Sequence, residues 1–300
     1  MYMQHLPSAR STASHSSVEA STGAEQLQLR MAAEQPAHDF RIGGSAQDAP
    51  RAFAGPPPPP GADGSGYSRL SLFDWRRFRA KLIAGSEEAW HERLQRNVNP
   101  RLKDVETWAH ELAAPEPGCL LLASPDHFTG QESQYSQAVI FLVQHNANGS
   151  VGFVLNRPTQ FTIGTVTTGM EVFNACPLMW GGDLGRGTVQ MVHAFDAERM
   201  PGARKIIDGV YVGGGVLDAQ EAVARGQAKP GDFKFFLQLF GKAPGHLQAE
   251  MDAGKWICAA TSKELILKPC INLPVPLWRE VLTLMGGKHS ILGRLTYGDL

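Results

Sequence analysis

Hydrophobic and polar positions change period twice along the chain. Up to Gly66 there is no period: Ala, Gly, Pro and Gln alternate without building an apolar face. Such a segment offers too little apolar surface to offset the entropy of ordering it. At Ser71 a helical period begins. Ser71 followed by Asp74 resembles a capping box, and Leu72, Trp75, Phe78 and Leu82 recur at helical spacing. A second short helix is expected from Ser86, with Trp90 and Leu94 four apart, and Pro100 blocks its continuation.

From Pro117 the pattern becomes strand-like. Gly118 to Ser124, Gln137 to His145 and Gly149 to Asn156 read as compact apolar strands, and the Asn/Gly-rich break at Asn146 to Gly149 suits a hairpin. Further strands are predicted at Pro177 to Trp180, Thr188 to Phe195, Ile206 to Val212, Phe233 to Phe240, Trp256 to Ala260 and Glu264 to Leu267. Helices are fewer. One is capped by Asp218 with Glu221 and ends near Gly226, one spans Pro244 to Ala253 before Gly254, and one spans Pro276 to Met285 before Gly286 and Gly287. Hairpins mixed with occasional helices predict an α+β fold rather than a regular doubly wound sheet. The expected organisation is a targeting peptide and Pro/Gly/Ser-rich linker over residues 1–66, a helical arm packing on the core over 67–114, and an α+β domain over 115–300, long enough for one sizeable core.

Charge, divided the same way, narrows the function classes. Residues 1–66 carry four basic against six acidic groups, residues 67–114 nine against seven, and residues 115–300 fifteen against sixteen. No segment has the excess expected of a domain that holds phosphate backbone by charge alone, so direct nucleic-acid binding is weakly supported. The longest apolar run is the six residues Ala138 to Val143, against the roughly 18 to 20 needed to cross a bilayer. No membrane insertion is expected. The four cysteines, Cys119, Cys176, Cys258 and Cys270, lack the paired spacing of a zinc or dithiol motif and read as buried thiols of a reducing compartment. The first 18 residues contain no acid, one arginine and five serines. That composition resembles an organelle transit peptide, although a plain disordered tail shares it. The run Pro56 to Pro60 reads as a stiff spacer or a polyproline ligand.

Few residues then present chemistry. Arg76, Arg77, Arg79 and Lys81 decorate the first helix, which is either a basic amphipathic contact through Trp75, Arg76, Arg77, Phe78 and Arg79, or a helix that packs its Trp and Phe inward and leaves its charges solvated. The acids at Glu87, Glu88 and Glu92 favour the second reading. A Walker loop is excluded, because Gly241 and Lys242 are followed by Ala243, and there is no G-x-S-x-G elbow. His91 and Glu92 lack the second histidine of a zinc motif. Gly213 to Gly215 can cradle an anion, or simply turn with positive φ. Three polar groups remain: Asn156 with Arg157 at the end of a strand, where a guanidinium can bind an anion or hold carbonyls; Gly181, Gly182 and Asp183 after another strand; and His193, which like His145 sits in an apolar strand. No nucleophile, base and orienter can be named together, and no cofactor or metal is expected.

In order, "GCLLLASP" at Gly118 to Pro125, "GSVGFVLNRP" at Gly149 to Pro158, "WGGD" at Trp180 to Asp183, His193 and "PGHLQAE" at Pro244 to Glu250 resemble the YqgE/AlgH family over most of residues 115–300. "DWRRFRAKL" at Asp74 to Leu82 and "LWREVLTLMGG" at Leu277 to Gly287 look like its plant and algal chloroplast branch. The chain departs from the family at Asp183, where Pro is usual, at the shortened Gly241 to Ala243 stretch, and at His246 and Gln248. The resemblance implies a mixed, branched or partly barrel-like β-sheet surrounded by helices. Some bacterial members carry the label of transcriptional regulator, but no helix-turn-helix or basic stripe is visible here. The expected role is that of a non-catalytic binding or regulatory protein of the chloroplast stroma, with a possible protein partner on the helical arm over residues 71–84. The competing reading is an enzyme or small-molecule sensor that binds an anionic ligand near Arg157, Asp183 and His193.

Overall fold

The computed structural model describes residues 74–96 and 106–299. The expected targeting and linker segment, the Ser71 cap and the Pro100 stop lie outside the described residues. Two helices come first, α1 (Trp75–Ala84) and α2 (Glu87–Gln95). The strands are β1 (Ala109–Glu111), β2 (Leu120–Ala123), β3 (Val139–Asn146), β4 (Gly149–Val154), β5 (Pro158–Thr162), β6 (Pro177–Trp180), β7 (Leu184–His193), β8 (Ala203–Ile207), β9 (Val210–Gly213), β10 (Lys234–Lys242) and β11 (Trp256–Thr261). Short helices α3 (Ile163–Val166), α4 (Val216–Ala224), α5 (His246–Asp252), α6 (Lys263–Leu267), α7 (Leu277–Met285) and α8 (Gly287–Tyr297) surround them.

The sheet is mixed and branched, as expected. Its main path runs β1-β11-β2-β3-β4-β10-β7-β9-β8 with antiparallel neighbours throughout. The branch is at β10. Phe235 to Leu237 pair in parallel with Leu178 to Trp180 of β6, which also carries β5. The same three residues pair with Val189 to Met191 of β7. One strand segment has only two edges, so β6 and β7 flank β10 on opposite sides, and the chain must cross β10 between Trp180 and Leu184. It crosses at a bulge, where the register slips between Leu237 and Leu239 and Gln238 adopts φ +63°. Gly181 and Gly182 make the crossing. A Cβ on Gly181 would stand 2.4 Å from the Gln238 carbonyl oxygen, and one on Gly182, at φ +150°, would stand 2.2 Å from the backbone of Leu239 and Phe240. Only glycine allows two backbones to approach this closely.

Beyond the crossing, β10 continues as Phe240 to Lys242 paired with β4, so one strand belongs to both halves of the sheet. The half containing β2, β3 and β11 is covered on both faces, which is why its strands are continuous apolar runs instead of alternating ones. Leu120, Leu122, Val139 and Phe141 pack with Trp278, Val281 and Leu282 of α7. Cys119, Leu121, Ile140 and Leu142 pack on the opposite face with Phe240, Leu247 and Trp256. A third cluster around Phe173, Phe233 and Phe235 fills the other half. The Trp278 indole N–H donates to the Ala123 carbonyl at 2.9 Å, and the buried Lys268–Glu280 ion pair ties the segment before α7 to that helix.

Several expectations need correction. Glu264 to Leu267, read as a strand, lies in helix α6; a short apolar run does not distinguish the two, and here Leu265 and Ile266 face the core from one turn. Ile206 to Val212, read as one strand, is the hairpin β8–β9, reversed at Asp208-Gly209 with Gly209 at φ +73°. Gly286 ends α7 as expected, but the chain restarts as α8 at once. The edge strand β1 has no counterpart among the expected strands, because three residues carry no period.

If the glycine crossing holds the two halves together, Gly182→Ala should cost about 3 kcal/mol or prevent folding. The control is Gly231→Ala, where a Cβ meets nothing within 4 Å. Urea titration should show the first variant strongly destabilised and the second unchanged.

Candidate functional site

The side chains singled out by sequence fall into three places. Asn156 follows β4 and braces the start of β3: its Nδ2 donates to the Gln137 carbonyl at 2.9 Å, and its Oδ1 accepts from the Val139 amide at 3.0 Å. Gln137 has φ +54°, so this bracket fixes a backbone that a non-glycine residue adopts reluctantly. Arg157 spends its guanidinium on three carbonyls: Nε donates to Gln134 at 3.2 Å, Nη1 to Asn156 at 3.1 Å, and Nη2 to Ser136. Burial lowers its pKa from the ordinary value. The Arg157 carbonyl in turn accepts from the Trp180 amide at 2.8 Å, and the Gly181 carbonyl accepts from Val154 at 2.9 Å. Asn156, Arg157, Gly181 and Gly182 therefore form one junction beside β10. Its polar groups are directed at backbone.

Asp183 sits at the exposed rim of this junction. Burial first, and then the nearby Asp183 carboxylate, push the Tyr135 hydroxyl to a higher pKa. Close by, Glu250 accepts from Lys242 at 2.6 Å through Oε1 and from the Trp256 indole at 2.8 Å through Oε2. Tyr135 also packs its ring on Trp180, Phe240 and Trp256. Sequence reading missed this grouping of Tyr135, Glu250 and Lys242, because its members lie far apart along the chain and carry no spacing signal.

His193 is elsewhere. It is buried among Phe195, Tyr211 and Phe233, with Nε2 donating to the Gly213 carbonyl at 2.9 Å and Nδ1 accepting from the Phe195 amide at 3.2 Å. Both contacts require the neutral ring with its proton on Nε2. Gly213 and Gly214 beside it have φ +84° and +93°, so the triple glycine is a turn that needs the left-handed region.

The arm residues form the third place, and the packing reverses the favoured expectation. Trp75 and Phe78 do not turn inward as a pair with the charges solvated. Asp74 caps α1 by accepting from the Arg76 and Arg77 amides at 3.0 and 3.1 Å. Arg76 then points at the core, donating to Glu116 at 3.3 Å and to the Gly118 carbonyl at 2.9 Å, while Arg79 reaches Glu116 at 2.6 Å. Arg77 pairs with Glu106 at 2.8 Å. Trp75 is 60% exposed, Leu82 62% and Ile83 47%, with Phe78 half-buried and stacked on Trp75 at 5.2 Å. The anchor is Ala80, packed with Trp90, Trp108 and Ala260. Two arginines share Glu116, and that pairing decides which face of the helix turns in.

Among the described residues no group of three or more His, Cys, Asp or Glu is placed to hold a metal ion, and all four cysteines are buried free thiols.

His193 provides a pH test. Burial holds its pKa below the ordinary 6.5, so the unfolded chain takes up a proton before the folded one does. The stability it contributes is present above about pH 6.5 and is lost as pH falls below that, by at most about 1.4 kcal/mol per pH unit. His110, also lowered by burial, adds in the same direction. Urea midpoints at pH 7.5 and 5.5 should fall more for the unaltered chain than for His193→Gln; an equal fall would show that the folded ring accepts the proton.

A family model described as AlgH-like matches residues 120–290. Similar proteins include a UPF0301 protein of Chlorobium limicola, 32% identical over 176 residues that cover 59% of this chain and 90% of the relative. Another from Chlorobium phaeobacteroides is 30% identical over 183 residues, covering 61% and 94%. A crystal structure of a Corynebacterium diphtheriae protein aligns with TM-score 0.50 at 20% identity, covering 61% of this chain and 94% of that one, which supports the fold. Helices α1 and α2 precede the matched region. With more than half its length matched, the chain belongs to the AlgH-like family.

Proposed function

We propose that this is a non-catalytic binding or regulatory protein of the plastid, and that it contacts a protein partner through the outer face of α1. The observation that supports this reading is the reversed polarity of that helix. Its arginines are drawn inward by Glu116 and the Gly118 carbonyl, leaving Trp75, Leu82 and Ile83 substantially exposed. A helix turned this way gives up hydrophobic stabilisation that the opposite rotation would gain, and large aromatic and aliphatic side chains at a surface are the usual anchors of protein interfaces. The same pairing weighs against a nucleic-acid role for the arm, because Arg76, Arg77 and Arg79 already face carboxylates. The plastid assignment rests on the acid-free, serine-rich first 18 residues.

The alternative of an anionic-ligand site near Arg157, Asp183 and His193 has less support. Arg157 and His193 direct their nitrogens at backbone groups, so an anion would have to displace those bonds.

The double substitution Leu82→Glu with Ile83→Glu changes exposed positions and should leave the melting temperature within about 2 °C, since surface changes rarely exceed about 0.5 kcal/mol. A partner identified by co-purification from plastid extract, then purified, should bind this variant at least about tenfold more weakly. Equal affinity would overturn the arm as the contact, and binding abolished by nuclease would point to nucleic acid instead. Residues 1–66 fused to a fluorescent protein should accumulate in plastids of a plant or algal cell; cytosolic fluorescence would overturn the compartment.

A further inference from the structure

Behind the same arm, on its inward side, a cleft of about 820 Å³ opens between α1, the β8–β9 turn and the corner where β11 passes into α6. That volume is within the range of small-molecule sites. Its floor is polar in an unusual way. Thr261 and Ser262 are 1% and 4% exposed, and neither hydroxyl has a hydrogen-bond partner among the described residues. Ser262 occupies the N-cap position of α6, where a serine ordinarily accepts from the helix backbone, yet its side chain makes no capping bond. Arg76 lines the cleft as well, and its buried Nε–H is unpartnered although both Nη groups are engaged. Buried polar groups are nearly always satisfied by protein or water, and of the seven buried side-chain atoms without a hydrogen-bond partner among the described residues, three border this one cleft.

The charges bordering the cleft say what kind of partner. Asp74 is spent on two amides of α1, Glu106 on Arg77, and Asp208 on Lys205. Lys263 has no ion-pair partner among the described residues, and of the bordering carboxylates only Glu264 is likewise uncommitted. The available groups are therefore mainly donors: two hydroxyls, a guanidinium N–H and an ammonium. The indole of Trp108 supplies flat apolar wall.

We propose that this cleft binds a small molecule with an anionic, acceptor-rich group on a flat apolar body, an aryl carboxylate or aryl phosphate, held by Thr261, Ser262, Arg76 and Lys263. The anion accepts from the two hydroxyls and the Arg76 Nε–H, Lys263 neutralises it at the mouth, and the ring lies against the Trp108 indole. One wall, α1, lies outside the region matched by the family model, so the site belongs to the arm-bearing chain and does not depend on the arm's outer face having a partner.

The test uses the full chain with phenyl phosphate, benzoate and, as the cationic control, benzylamine. Calorimetric titration should detect phenyl phosphate or benzoate and not benzylamine, and which of the two binds more tightly distinguishes the phosphate from the carboxylate source. Ser262→Ala combined with Lys263→Ala should weaken the binding at least tenfold. Thr261→Val, which removes a hydroxyl and keeps the shape, should also weaken it while leaving the ligand-free melting temperature equal or higher. Absence of heat from both anions at millimolar concentration, binding that survives in the variants, or equal binding of benzylamine would each overturn the proposal.

Discussion

The close passage of Gly181 and Gly182 over the bulge at Gln238 is the contact on which the rest of the fold depends. β10 is shared: its first half pairs with β6 and β7, its second with β4. Unless the chain leaves β6 on one edge and reaches β7 on the other, the two halves cannot use the same strand. Crossing backbone over backbone at this separation excludes any side chain, and the bulge supplies the turn in β10 that lets the two halves diverge. The polar bonds of Asn156 and Arg157 then hold the loop before β3 against the same junction. Hydrophobic burial stabilises each half, but it is non-directional and would not by itself specify this crossing.

A second constraint sets the arm. Glu116 is held between Pro115 and Pro117, next to the Gly118 carbonyl, and Arg76 and Arg79 both converge on it. Arg76 also donates to that carbonyl, and Gly118 is small enough to admit both the guanidinium and Ile207. Two arginines converge on one carboxylate in a partly desolvated site, where removing the carboxylate would leave both guanidinium groups without their charged partner. The rotation of α1 follows: its small residue Ala80 meets Trp90 and Trp108, and Trp75, Leu82 and Ile83 turn out.

The fold was largely legible and the site much less so. Strands such as Pro177 to Trp180 and the hairpin at Asn146 to Gly149 could be read because apolar runs and Asn/Gly breaks are local signals. Glu264 to Leu267 is not legible in this way, since four residues fit either period, and Asp208-Gly209 lies inside a run whose apolar pattern is continuous. The arm shows the limit of periodicity most clearly. Spacing identified the helix, and a hydrophobic-face rule then selected the wrong inward side, because the deciding carboxylate lies forty positions away in sequence from Arg76. Lone polar residues in apolar strands raise the same difficulty: nothing local to His193 says that the Gly213 carbonyl, twenty positions on, accepts its hydrogen bond.

The motifs by which the family resemblance is recognised are, in this chain, parts of the scaffold. The Asn-Arg-Pro element closes the junction, the Gly-Gly element makes the crossing, and the histidine orders the β7–β9 pair through backbone bonds. Groups committed to carbonyls and amides in this way are costly to redirect towards a ligand, because each leaves a buried partner unsatisfied. A shared motif can therefore mark a shared fold without marking a shared reaction. Three buried groups without a hydrogen-bond partner among the described residues, Arg76 Nε, Thr261 Oγ1 and Ser262 Oγ, lie where the arm meets the sheet. There an outer apolar face and an inner donor-lined cleft share one ten-residue helix, held by Glu116 and Glu106. Because the guanidinium of Arg76 both anchors that helix to Glu116 and lines the cleft, a molecule bound inside would bear directly on how firmly the outer face is presented.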